Sequence, residues 1–260
     1  MILRRLSQSL KEQNWTAIWI EFVLLVAGVF LGIQVANWNQ ERATDTESAV
    51  FTERLTGDLR EEAWSYEMQI AYYRQVLANA RRAADALASK VPLAEEALVV
   101  SAYRATQYNS NIRRRATYDE LSSTGEMGLI RRDKLRDLAM RVYSAAVFDD
   151  IDQEGKNSEY RHWFRLHISH DVQQALSDAC GDKVVEVGDF QAIVGSLDYP
   201  CSPSLSPVDL AAAASTLRND QDALPMLRLR IANIETNVTN MEVYYKGIRD
   251  GLRQLAAESP

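Results

Sequence analysis

One stretch constrains this chain more than any other: residues 16–36, TAIWIEFVLLVAGVFLGIQVA, in which Glu21 and Gln34 alone interrupt a continuous apolar run. As a helix rising 1.5 Å per residue, 21 residues cover the roughly 30 Å of a bilayer's hydrocarbon core. Both interrupting groups lie within about two turns of an end, where a long side chain reaches toward the headgroups. Trp15 and Trp19 on one side and Trp38 on the other stand where an aromatic belt forms, with Asn37 and Asn39 at the far boundary. A cleavable signal peptide is the rival reading. Its apolar core is shorter, however, and Gln34-Val35-Ala36 lacks the A-x-A pattern of a cleavage site. The expectation is a transmembrane helix over 16–37. Arg4, Arg5 and Lys11 precede it, and only Arg42 and Arg54 occur in the 20 residues that follow it. That asymmetry places a tail, 1–15, in the cytoplasm and the domain 38–260 outside it.

The span has a distinctive face. At 100° per residue Gly28, Gly32 and Asn39 fall within about 20° of Glu21, flanked by Leu25 and Val35, and Ala36 extends the small-residue pattern. Gly28-xxx-Gly32 allows a second helix to approach closely, and Glu21 offers it a hydrogen bond. The expected membrane-helix interface is therefore Glu21, Leu25, Gly28, Gly32, Ala36 and Asn39. The plainer alternative is that glycine is common in membrane helices and that Glu21 reaches the headgroups.

The sequence IEFVLLVAGVFLGIQVANWNQER, followed by TYDELSSTGEMGLIRRDKLRDLAMRVY, resembles an uncharacterised family of bacterial single-pass membrane proteins, a domain of unknown function. Its hallmark is a glycine-rich span running into V-A-N-W-N-x-x-R, here residues 35–42, and the likeness covers 1 to about 145. The resemblance implies a bacterial inner membrane and this topology, but no chemistry and no catalytic residue.

Beyond the span, only 11 Gly and 6 Pro punctuate 260 residues while 47% are hydrophobic, a balance that favours a folded, mainly α domain. Between residues 41 and 90, apolar or small residues recur at Phe51, Leu55, Leu59, Ala63, Tyr66, Ile70, Tyr73, Leu77, Ala80, Ala84 and Leu87. After Leu59 the steps alternate between four and three, the coiled-coil spacing, so a long helix is expected to continue out of the span. A matching seam follows Pro225: Leu227, Ile231, Ile234, Val238, Met241, Tyr245, Ile248, Leu252 and Leu255. The two seams pair with each other, or each pairs with a second copy, and the spacing does not decide between these. Further helices are expected over 92–108, 117–123, 133–150 and 158–179, with Gly125 ending one of them in a left-handed conformation. The architecture anticipated is a helical bundle on a stalk.

Residues 180–207 read as an insertion. KVVEV at 183–187 alternates like a short strand, and 190–194 resembles a second, before the rigid Tyr199-Pro200-Cys201-Ser202-Pro203. Cys180 and Cys201, the only cysteines, bracket it and are expected to form a disulfide if the domain lies outside the cytoplasm. The insertion is then a disulfide-bracketed loop or a small β element.

Chemistry is sparse. His162, His167 and His170 cluster, and on one helix His167 and His170 share a face, making them the candidates, weak ones, for a metal site. No H-E-x-x-H, Cys-x-x-Cys, phosphate-binding loop or nucleophile elbow occurs, so neither cofactor nor enzymatic activity is expected. Residues 38–260 carry 26 basic and 34 acidic side chains, an unfavourable balance for nucleic acid. Arg113, Arg114 and Arg115 form the one cationic run, suited either to an anionic partner or to acids of the same domain. The leading functional expectation is an accessory subunit or scaffold of a larger membrane complex, with the lipid bilayer and a membrane protein or second copy as partners. A sensor-like ligand-binding bundle acting through a partner is the alternative. A metal-dependent envelope enzyme is the third.

Overall fold

The computed structural model describes residues 15–110 and 112–258; most of the expected cytoplasmic tail, 1–14, lies outside the described residues. The fold is mainly helical and contains no strand among the described residues. Helix α1, Trp15–Leu87, runs without a break through the apolar stretch and the first seam. No proline interrupts it, so no residue removes a donor from the hydrogen-bond ladder.

The described residues form two compact units. The first ends at Glu53 and includes Gly128–Arg131; the second comprises Arg54–Met127 and Arg132 onward. In the first unit the Ser48 hydroxyl donates to the Leu129 carbonyl at 2.5 Å and Arg131 pairs with Asp45 at 2.5 Å, which fastens the short segment to α1.

The second unit follows the predicted periodicity. Leu55, Leu59, Ala63, Tyr66, Ile70, Tyr73, Leu77 and Ala80 of α1 are all buried. So are Leu227, Ile234, Val238, Met241, Ile248, Leu252 and Leu255 of the second seam. That seam comprises α9 (Ala223–Thr239), a π-helical turn (Asn240–Tyr244) and α10 (Lys246–Ala257). The two face each other antiparallel within the chain. Arg60 donates to the Glu258 carbonyl, Glu67 is held by Arg249 and Arg253, Arg74 by Glu242 and Arg81 by Glu235, so one number rises as the other falls. The Tyr66 hydroxyl donates to the Met241 carbonyl at 2.8 Å, supplying a partner inside the widened π turn, where the regular ladder is disturbed.

Shorter helices surround this pair: α2 (Glu95–Arg104), α3 (Ala116–Thr124), α4 (Asp133–Ser144), α5 (Val147–Lys156), α6 (Glu159–His167), α7 (His170–Cys180) and α8 (Pro207–Asn219). Gly125 ends α3 with φ 75° as expected, and the Glu126 N–H closes the turn on the Leu121 carbonyl at 2.9 Å. Gly155 is a close approach. A Cβ there would sit 2.6 Å from that of Tyr108, so α5 packs down only because the side chain is missing. Arg230 of α9 is fully buried. It binds Glu154 of α5 and donates to the carbonyls of Ala105 (3.4 Å) and Gln107 (2.8 Å), groups that the end of α2 leaves without helical partners.

Three expectations need correction. The helix expected over 133–150 is two, broken at Ala145, whose ψ of 121° is extended. The helix expected over 158–179 is also two, broken at Ile168–Ser169. Residues 183–187 and 190–194 form no strand. With every neighbouring element helical there is no edge to supply the ladder a strand requires, so the loop alternative for 180–207 holds.

Candidate functional site

The first unit presents one dominant surface. From residue 22 to 43 every side chain of α1 is exposed. Eleven large apolar side chains of the span, from Ile20 to Val35, are among them. At about 1.5–3 kcal/mol for each such side chain moved out of water, leaving them hydrated forgoes roughly 15–30 kcal/mol. A whole domain is stable by only about 5–15 kcal/mol, so covering this surface is worth as much as a domain's entire stability. Length and composition suit a membrane crossing. Trp15, Trp19 and Trp38 are exposed at the ends, and the Arg42 guanidinium lies 3.9 Å from the Trp38 ring centroid, one turn further along.

Continuity of α1 keeps Glu21, Leu25, Gly28, Gly32, Ala36 and Asn39 on the face the 100° repeat gives them. A Cβ added at Gly28 or Gly32 would meet nothing within 4 Å, so that strip is open to a neighbour. Glu21 Oε2 is buried and has no hydrogen-bond partner among the described residues. Chemically, the face offers close backbone approach and one carboxylate acceptor.

Arg113, Arg114 and Arg115 do not form an open cationic patch. Arg113 is nearly buried, paired with Glu62 at 2.9 Å, donating to the Val142 carbonyl at 3.0 Å and stacked 3.9 Å from the Phe148 ring centroid. Arg114 pairs with Glu61 at 2.6 Å and Arg115 with Asp119 at 2.8 Å. Burial raises the Glu62 carboxyl above its usual range, against the pull of Arg113 and the Arg114 N–H. Glu61 and Glu62 of α1 thus pair with two of the three arginines, and Asp119 of α3 pairs with the third.

The histidines do not share a helical face. The break at Ile168–Ser169 puts His167 at the end of α6 and His170 at the start of α7. His167 stacks on Trp163 and its Nδ1 contacts the Trp163 carbonyl at 2.8 Å. No group of three metal-ligating side chains occurs among the described residues. Cys180 and Cys201 are joined as expected, with Cα atoms 5.4 Å apart.

One site had no counterpart in the sequence reading. In the second unit a cavity of about 460 Å³ lies between α1, residues 108–110 with Ile112 and Arg114, and the loop 182–187. Trp64, Met68, Gln69 and Tyr72 of α1 form its buried side. Tyr72 donates to both Asp182 carboxylate oxygens at 2.9 Å. Burial raises the Asp182 carboxyl, opposed by that bond and by Arg161 and Arg104. Gln69 is 1% exposed, yet neither its amide oxygen nor its nitrogen has a partner among the described residues, and the same holds for Trp64 Nε1. The available signal was faint: a glutamine beside the seam residue Ile70, where an apolar side chain is the default. No family model, curated protein or solved structure matches the chain.

Proposed function

We propose that this chain is a single-pass protein of a bacterial inner membrane, with residues 1–15 cytoplasmic and 38–260 periplasmic, forming a helical bundle on a stalk. It acts as a non-enzymatic interaction or structural protein, an accessory subunit or scaffold of a larger membrane complex. The observation that carries the reading is the uncovered surface of α1, apolar over a bilayer's thickness and bearing an open Gly28/Gly32 strip. The Cys180–Cys201 disulfide supports the orientation, because such bonds persist in oxidising compartments. The family resemblance of residues 1–145 supports the bacterial setting. Since both native cysteines are engaged, Gly28→Cys or Gly32→Cys introduces a single free thiol. Crosslinking in native membranes is expected to trap a second copy or a distinct membrane protein. A protein that stays monomeric and partner-free there defeats the proposal.

The cavity beside Gln69 favours a second reading, a ligand-binding helical bundle that signals through a partner. Its volume lies within the roughly 300–1,000 Å³ of small-molecule sites.

A further inference from the structure

We infer that another cavity of the second unit, walled by one face each of α6 and α7 and by the end of α2, binds a phosphate group, free or carried on a small ester. This goes beyond both readings above. The cavity has a volume of about 260 Å³. That is several times the roughly 30 Å³ share of one water and below the span of drug-sized sites, so it suits a small polar ligand. Helical spacing builds its walls. Arg161, Phe164 and Arg165 of α6 lie three and four residues apart, as do His170, Gln173, Gln174 and Ser177 of α7, so each set shares one face of its helix. Tyr103 of α2 and Thr106 just beyond it close the third side.

The first argument is charge. No residue lining this cavity is acidic, whereas two are arginines and a third is a histidine. Arg161 and Arg165 stand one turn apart on α6, a spacing at which like charges repel. Neither forms an ion pair among the described residues. Burial, and after it the charge of Arg165, pushes the Arg161 guanidinium below its ordinary value. Asp182, an acid that Arg161 influences, already accepts from Tyr72 at both carboxylate oxygens. Asp171 and Asp178 flank the lining residues of α7 without lining the cavity themselves, and Asp178 accepts from Gln174 at 2.8 Å. Two guanidinium groups without a counter-charge of their own call for one from outside. A phosphate dianion supplies one charge to each, which a monocarboxylate does not.

The second argument is access. Arg165, His170 and Ser177 are exposed and Arg161 is half-buried, so a ligand in the cavity reaches them. Arg161 Nη1 donates to the carbonyl of Thr106, itself a lining residue, at 2.9 Å, and the guanidinium lies 4.7 Å from the Tyr108 ring centroid. These contacts fix the head at the cavity wall and leave its remaining N–H groups for a ligand. Arg165 has no side-chain partner among the described residues, so its whole fork is available. A guanidinium fork matches two phosphate oxygens at once, and the His170 ring and Ser177 hydroxyl add donors from the α7 side. The Gln173 nitrogen donates to the Arg165 and Ile168 carbonyls at 3.1 and 2.6 Å, which pins α7 against the end of α6 and holds the two walls in register before any ligand arrives.

The test is isothermal titration calorimetry on the full chain in phosphatidylcholine nanodiscs, with sodium phosphate, glycerol 3-phosphate and sodium acetate as probes at constant ionic strength. Both phosphates are expected to bind at one site, about tenfold or more tightly than acetate. Arg165→Gln, which removes no side-chain bond within the chain, should weaken both phosphates about tenfold or more. Arg228→Gln, at an exposed arginine of α9 outside the cavity, should leave them unchanged. Tighter binding of glycerol 3-phosphate identifies an ester as the source and equal affinities identify free phosphate; either supports the site. Acetate that binds as tightly as phosphate overturns the inference, as does the absence of phosphate binding. So does an Arg165→Gln protein that keeps its affinity, or an equal loss in both variants. None of these results alters the crosslinking expected at Gly28 or Gly32, so each proposal can fail without the other.

Discussion

The charge contacts between the two seams make acid stability a direct probe of how the chain folds back on itself. Glu67 of α1 accepts from Arg249 Nε and Nη2 at 2.8 Å each and from Arg253 Nε at 2.7 Å, so two guanidinium groups of α10 converge on one carboxylate. Burial alone would raise this carboxyl, but the bonds from Arg249 and Arg253 outweigh it and bring it down to about 2. A carboxyl whose pKa is lower folded than unfolded stabilises the fold above the unfolded value. That stabilisation drains away as pH falls toward the folded value. Here the window runs from about 4.5 down to about 2. At about 1.36 kcal/mol per pKa unit, the contribution reaches roughly 3 kcal/mol at neutral pH as an upper bound. Glu242, 3.8 Å from Arg249, and Tyr66 face the same cluster and stay in place in a Glu67→Gln variant. Urea denaturation of wild type and variant between pH 2 and 7 is the assay. Glu67→Gln should be less stable by about 2–3 kcal/mol at pH 7, and the two proteins should converge as pH approaches 2. A stability difference that is flat with pH refutes the reasoning, as does none at pH 7; either would mean that α1 and α10 are not clamped at this carboxylate.

Two further perturbations test the interior. Arg230→Leu strips Glu154 of its counter-charge and the end of α2 of two donors, and should cost about 3–5 kcal/mol in denaturant unfolding; adding Glu154→Leu should restore about 2 kcal/mol of that. A purely additive double variant would show that the pair does not interact. Replacing Cys180 and Cys201 together by Ser should cost about 3 kcal/mol for the loop they close, and dithiothreitol should lower the midpoint of the wild type but not of the variant. A reductant-insensitive wild type would mean the bond is absent in the native protein.

The seams were legible because a single repeat governs them over long distances. Leu55 through Ala80 and Leu227 through Leu255 must each keep one face inward, and that demand leaves a period in the sequence. The apolar span was legible for the same reason: its constraint comes from a solvent, not from a particular neighbour. What the sequence hid depends on single contacts. The breaks at Ala145 and Ile168 involve no glycine or proline, and only Ser169, the N-cap of α7 with Asp171 in its first turn, marks the second; tertiary packing accompanies both, α4 against α10 and α6 against α9. Helix α8 did carry a signal, Ser206 capping the Asp209 N–H at 3.1 Å with Pro207 at the first position, but the proline-rich approach to it reads as loop.

The candidate sites divide along the same line, and that division bears on which functional reading the molecule can support. The Glu21–Gly28–Gly32 strip needs only helical continuity, so sequence and structure coincide there. The arginine run needed the identity of its partners: Glu61 and Glu62 come from a helix 51–53 residues earlier, and nothing in an Arg-Arg-Arg triplet specifies them. Those acids and Asp119 pair all three arginines within the domain while Arg114 and Arg115 stay half exposed, and the strip and the cavity beside Gln69 are further features open to something outside the chain. They ask for different things. The strip is open and apolar apart from Glu21, so lipid meets part of its requirement, and a helix with a small-residue face that brings a donor to the Glu21 carboxylate meets the whole of it. The cavity beside Gln69 in the second unit is lined on its buried side by Trp64, Met68, Gln69 and Tyr72 and has the volume of a small-molecule site. The strip therefore supports the proposed partner-binding reading, and the cavity beside Gln69 supports the ligand-binding alternative.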